Sequence, residues 1–128
     1  MARKKSPTLT EAELRLMEVL WDKRSATVGE VLAGLPEDTA LAYSTVLTTL
    51  RILETKGYVA HAESGRAFVY RPLVGRDEAR RSATQQLVKR FFDNSPELLA
   101  LSLLEQENID DQELQRLKRL IERSKENS

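Results

Sequence analysis

The chain contains no cysteine and only one histidine, His61, in 128 residues. The first absence excludes disulfides, thiol redox switches and thiolate metal sites, and it fits a reducing cytoplasm. The second removes His-rich metal spacing, and His61 falls inside a strand-like run with no thiol to pair with, which favours a structural role. The five glycines, at positions 29, 34, 57, 65 and 75, form no phosphate-cradling loop. Together these absences argue against an enzyme, a metal site or a bound cofactor. Long apolar runs are missing as well: nothing approaches the ~20 residues of a membrane-spanning helix. The basic start Met1-Ala2-Arg3-Lys4-Lys5 leads into an amphipathic pattern, unlike a signal peptide. The expectation is a cytoplasmic protein without membrane insertion. Net charge is absent too, because 20 basic residues balance 20 acidic ones. Any nucleic-acid surface must therefore be a local arrangement of charge.

What is present is a succession of amphipathic segments. Thr10, followed by Glu11 and Glu13, has the hydroxyl and acid of a capping box, and Leu14, Met17, Leu20 and Trp21 mark one face of the helix that follows. Thr27 can cap a second helix with Val28, Val31, Leu32 and Leu35 at helical spacing, stopped by Pro36. A third helix is expected from Tyr43 to Lys56, with Val46, Leu50 and Leu53 inward and Gly57 as its C-terminal cap. The period then becomes extended. Tyr58–Ala62 and Ala67–Tyr70 flank a turn containing Ser64-Gly65-Arg66, which reads as a β-hairpin. Pro72 and Gly75 suggest a boundary, giving a domain at 1–75 and a second at 76–128.

The second part reads as three helices. One begins near Arg76 and is broken by Asp93-Asn94-Ser95-Pro96, one is leucine-rich, and one opens at Asp110-Asp111. Leu87, Phe91, Phe92, Leu98, Leu99, Leu101, Leu104, Leu117 and Ile121 are more large apolar groups than three short helices can hide alone. They are expected to form a homodimer interface. A compact monomeric bundle packed on the first domain is the alternative.

Three helices followed by a hairpin define a mainly α fold, the winged helix-turn-helix, in which the third helix enters the major groove. Ser44, Thr45, Thr48, Thr49 and Arg51 lie largely off the apolar face of that helix. Hydroxyls can bond phosphates or base edges, and Arg can bond guanine or phosphate. The bland reading is that some of these hydroxyls cap or back-bond their own helix. Arg66 at the hairpin tip places a cation where a wing could meet a phosphate, and Arg3, Lys4 and Lys5 could add a basic arm. The expected DNA-facing set also includes Thr27 and Tyr43, at the starts of the second and third helices. A protein-interaction adaptor with the same fold is the competing reading, and the hydroxyl-rich third helix speaks against it.

Several segments together resemble the penicillinase-repressor family, the BlaI/MecI type. They are Leu9-Thr10-Glu11-Ala12-Glu13-Leu14 with Val19-Leu20-Trp21, Ala26-Thr27-Val28 with Glu30-Val31, Tyr43-Ser44-Thr45-Val46-Leu47-Thr48-Thr49-Leu50, Lys56-Gly57-Tyr58-Val59 and Gly65-Arg66-Ala67-Phe68-Val69-Tyr70. The resemblance covers nearly the whole chain. It implies a transcriptional repressor that occupies a palindromic operator as a homodimer, at β-lactamase-type or other stress-response genes. It also implies recognition positions at Ser44, Thr45, Thr48 and Arg51, a wing contact at Arg66, and dimerisation through the C-terminal helices. One departure is that Arg51 is followed by Ile52, where the family commonly has a polar residue followed by Arg late in this helix. The copper-responsive branch carries a cysteine-rich site that this chain lacks.

In the β-lactam branch a sensor protease relieves repression by cutting an Asn–Phe pair in a Leu-Asn-Phe-Leu-Glu context. The matching stretch here is Leu101-Ser102-Leu103-Leu104-Glu105, so Ser102 and Leu103 occupy the two positions. Serine lacks the side-chain amide and leucine the ring, and a site built for the original pair loses a hydrogen bond and apolar contact. The chain is therefore expected to resist an activated sensor of that branch. Mass analysis of the incubated protein checks this, and efficient cutting between Ser102 and Leu103 would overturn it.

Overall fold

In a computed structural model, residues 8–126 are described, so the basic positions Arg3, Lys4 and Lys5 lie outside the described residues. The elements in chain order are α1 (Glu11–Lys23), β1 (Ala26–Thr27), α2 (Val28–Gly34), α3 (Tyr43–Lys56), β2 (Val59–Ser64), β3 (Ala67–Pro72), α4 (Arg76–Phe91), α5 (Pro96–Gln106) and α6 (Asp111–Glu126). They fall into two compact units, one extending to Gln86 and one beginning at Leu87.

The first unit is built by local capping and then locked by one core. The Thr10 hydroxyl accepts from the Glu13 amide at 3.1 Å, and the Glu13 carboxylate accepts from the Thr10 amide at 2.8 Å. Thr27 and Glu30 repeat the arrangement at the start of α2, again at 3.1 and 2.8 Å. These reciprocal bonds satisfy amides that a helix start leaves without intrahelical partners. At the other end of α3, Gly57 takes φ 91°, and the Tyr58 amide bonds back to the Leu53 carbonyl at 2.9 Å. That left-handed conformation suits glycine and reverses the chain directly into β2.

Leu16, Met17 and Leu20 of α1, Val28 and Val31 of α2, and Val46, Leu50 and Leu53 of α3 close on Tyr58, Val59, Tyr70 and Val74. The sheet order is β1-β3-β2, all antiparallel, with Ala26 opposite Tyr70 and Ser64 opposite Ala67. The hairpin is thus as expected, but β1 adds a third strand. Two residues are too short to show an alternation in sequence. A second difference concerns Leu14, which is exposed, while Leu16 carries the inward face of α1 together with Met17 and Leu20. The face is rotated toward Glu13, whose carboxylate is itself buried against Lys56 at 2.8 Å.

The second unit comprises the end of α4 with α5 and α6. Asp93 and Asn94 take φ 48° and 59°, which ends α4. Ser95 caps α5 through the Leu98 amide at 3.2 Å, with Pro96 at the first helical position, where its missing N–H costs nothing. Asp110 and Glu113 form a further capping box on α6. No residue of α5 or α6 is buried. No helix among the described residues is long and apolar enough to cross a membrane.

Burial pushes the Glu13 carboxyl upward, but the Lys56 hydrogen bond, the Thr10 amide and the Lys56 charge outweigh it and hold the group below its ordinary value. A depressed folded-state pKa contributes stability above the unfolded value, and that contribution is lost as pH falls through the folded value. Urea midpoints should therefore drop as pH is lowered below about 4.3. Glu13→Gln should lose about 1–3 kcal/mol at neutral pH, since Lys56 is left without its carboxylate, and should show a shallower acid slope. Parallel pH profiles for the two proteins would refute this role.

Candidate nucleic-acid interface

The third helix separates cleanly into two faces. Val46, Leu50 and Leu53 are completely buried, whereas Tyr43, Ser44, Thr45, Thr48, Arg51 and Ile52 are exposed. The structure thus sets five of the sequence-predicted positions on the outward side of one helix. Thr49 behaves differently: its hydroxyl donates to the Thr45 carbonyl at 2.8 Å, so it back-bonds its own helix. Thr27 is half-buried at the junction of β1 and α2, and its hydroxyl already accepts from the Glu30 amide. Arg66 is exposed at the tip of the β2–β3 hairpin.

The charges of α3 are partitioned as well. Lys56 is taken by Glu13 at 2.8 Å and Glu54 is bonded by His61 at 2.7 Å, which leaves Arg51 as the cation of the outward face of this helix. Its N-cap residue is Ala42, which makes no side-chain bond to the helix start. The first amides of α3 therefore keep their donor capacity beside the hydroxyls of Ser44 and Thr45, an arrangement suited to an oxyanion such as phosphate. The hydroxyl and basic residues do not by themselves point to this uncapped start; its signal in the sequence is an alanine where a cap residue is common.

His61 joins the helix to the wing. Its Nδ1 lies 2.7 and 2.8 Å from the two Glu54 oxygens. Its ring meets Phe68 edge-on at 5.1 Å and lies 5.3 Å from the Tyr70 ring. Tyr70 is buried; burial pushes its hydroxyl pKa up, the Glu54 carboxylate adds to this, and the Arg51 guanidinium opposes it. Arg51 and β3, the central strand of the sheet, are therefore within electrostatic reach of each other. The wing tip itself is a two-residue connection, since Ser64 pairs with Ala67, and Gly65 takes φ 63°. A first-position glycine in that conformation is what a type II′ hairpin turn requires. Among the described residues no group of three or more His, Cys, Asp or Glu could hold a metal ion.

Three helices, a short strand after the first and a two-stranded wing after the third define a winged helix-turn-helix protein. The penicillinase repressor family matches residues 9–123. The chain is 29% identical over 122 residues to the penicillinase repressor of Bacillus licheniformis, covering 95% of each protein. It is 38% identical over 71 residues to the transcriptional regulator BlaI of Mycobacterium tuberculosis, covering 55% of this chain and 51% of that one. Among solved structures, the DNA-binding domain of the repressor BlaI superposes with a TM-score of 0.52 at 34% identity, over 59% of this chain and 93% of that one. The chain belongs to the penicillinase repressor family.

Proposed function

We propose that this protein is a transcriptional repressor that binds a palindromic operator as a homodimer, each protomer laying α3 in the major groove and its wing along the phosphate backbone. The observation that carries this reading is the outward face of α3. Ser44, Thr45, Thr48 and Arg51 stand exposed there, while the other two charged residues of the same helix are committed to Glu13 and His61. Ser44 and Thr45 join the free amides at the helix start as phosphate ligands, Thr48 and Arg51 read base edges, and Arg66 meets a phosphate. Tyr43 borders this face, and Thr27 holds the second helix against the backbone. The relatives named as repressors, and the BlaI domain named for DNA binding, support the same assignment. The protein then works in the cytoplasm by occupancy, without catalysis.

The helices after Arg76 supply the dimer. Phe91 is 70% exposed and Leu101 52%, with Leu87, Leu98, Leu104, Leu117 and Ile121 also exposed, while Phe92 and Leu99 are half-buried. Burying each such side chain is worth ~1.5–3 kcal/mol, so a second copy that covers them removes a large cost. The same helices bear on cleavage by a sensor protease. Ser102 and Leu103 lie within α5, and the Ser102 hydroxyl accepts from the Gln106 side-chain Nε2 at 3.0 Å. Cutting there requires the helix to open as well as a pocket that accepts this pair.

Selection of genomic fragments bound by the protein should return an inverted repeat, with affinity falling steeply as salt rises. Arg66→Ala should weaken binding to all sequences alike and reduce the salt slope by roughly one. Thr48→Ala should instead reorder the ranking of operators. Recovery of no palindrome, with salt-indifferent binding, would return the protein to the adaptor reading. Sedimentation separates the two units: the full chain should dimerise and a chain ended after Gln86 should not. Equal dimerisation of both would remove the C-terminal helices from the interface.

A further inference from the structure

A cavity of about 570 Å³ lies between α1 and α4 in the first unit, and none of its lining residues belongs to α3 or to the wing. That size falls within the range of small-molecule sites. Its apolar part comes from Leu9, Leu14 and Trp21 on one side and from Ala79 and Ala83 on the other. Leu14, turned away from the core, is thereby accounted for. Trp21 is held in place, since its indole Nε1 donates to the Val74 carbonyl at 2.8 Å. Its face is fixed before any ligand arrives, which lowers the ordering cost of binding.

The polar part is asymmetric. Arg76 and Arg80, one helical turn apart on α4, face the cavity, against a single carboxylate, Glu18, from α1. The Arg76 guanidinium lies 5.3 Å from the centre of the Trp21 ring and bonds Asp22 at 3.1 Å, so it is largely committed. Among the described residues Arg80 is paired with Asp77 at 3.7 Å, with both side chains more than 70% exposed. A pair of that kind is worth little and is readily exchanged for a better-placed anion. Glu18 in turn opposes a second negative group on the same ligand.

We propose that this cavity binds a small planar aromatic monocarboxylate, its ring against Trp21 and Leu14 and its carboxylate on Arg80, with Arg76 beside it. An aromatic ring suits the fixed indole face and the shallow alanine wall opposite, and the guanidinium fork matches a carboxylate. The ligand site and the proposed DNA-facing residues do not overlap, so the two can be tested separately.

Trp21 is the single tryptophan of the chain, so its indole N–H gives one unambiguous signal. Titration of the full-length protein with 2-naphthoate, followed by nitrogen–proton NMR, should shift that signal saturably. The neutral 2-naphthamide and the dianion naphthalene-2,6-dicarboxylate should each bind about tenfold more weakly. Arg80→Ala should lose a similar factor for naphthoate, and Ala83→Trp, which fills the cavity from an exposed helix position, should abolish the shift. An absence of saturation would overturn the proposal. So would an amide or a dianion that binds as tightly as naphthoate, or an unchanged affinity in both variants. The readout involves no DNA, so failure here leaves the repressor reading standing, and failure of operator binding leaves this site standing.

Discussion

Glu13 is one carboxylate with two tasks. It closes the capping box on Thr10 at the start of α1, and it holds Lys56, in the last turn of α3, at 2.8 Å across a separation of 43 residues. The group is almost wholly removed from solvent. A buried carboxylate without a cation and without amide donors is strongly unfavourable, so its partners constrain the geometry around it. The end of α3 must lie beside the beginning of α1, and that sets which side of α3 faces Leu16, Leu20 and Val31. The outward row of Ser44, Thr45, Thr48 and Arg51 is the complement of that decision.

The wing depends on the same junction. Gly57 reverses the chain immediately after Lys56, Tyr58 is buried one residue later, and the Leu73 amide returns to the Tyr58 carbonyl at 2.7 Å. His61 then ties β2 to Glu54, three residues after Arg51. Through β1 the sheet also reaches Thr27, which caps α2. Helix α3 and the wing are therefore positioned from one core by short-range bonds. The second unit is organised differently: its helices are capped well, but none of α5 or α6 is buried, so its order as described rests on local bonds.

Much of this was legible in the residues, because capping and turn chemistry are local. Thr10 with Glu13, Thr27 with Glu30, Gly57, Ser95-Pro96 and Gly65 each announce a boundary that the structure contains. The illegible features are non-local or very short. Strand β1 has only two residues, and its identity comes from pairing with Val69 and Tyr70. The rotation of α1 that exposes Leu14 follows from the Lys56 pair, which no helical periodicity encodes. Thr48 and Thr49 look equivalent as neighbours, yet only the geometry of the turn commits Thr49 to a carbonyl. At the candidate site, the hydroxyl pattern located the face of α3 and the alanine at its start is a readable signal, while the occupation of Glu54 by His61 required coordinates.

The position of β3 at the centre of the sheet constrains how this lineage can vary. At Val69 and Tyr70 β3 is held on both sides, by β1 and by β2, whereas at Ala67 and Phe68, and again at Arg71 and Pro72, it has β2 alone. Side chains along a strand alternate between faces, so one residue added to a single strand disturbs every pairing beyond it. Two residues added to each strand beside the turn extend the hairpin by one full repeat of hydrogen-bonded and non-hydrogen-bonded pairs, and leave the Ala26–Tyr70 and Thr27–Val69 pairings untouched. The reach of the wing is thus an independently adjustable dimension, open to evolutionary drift in paired steps while the helical core stays fixed.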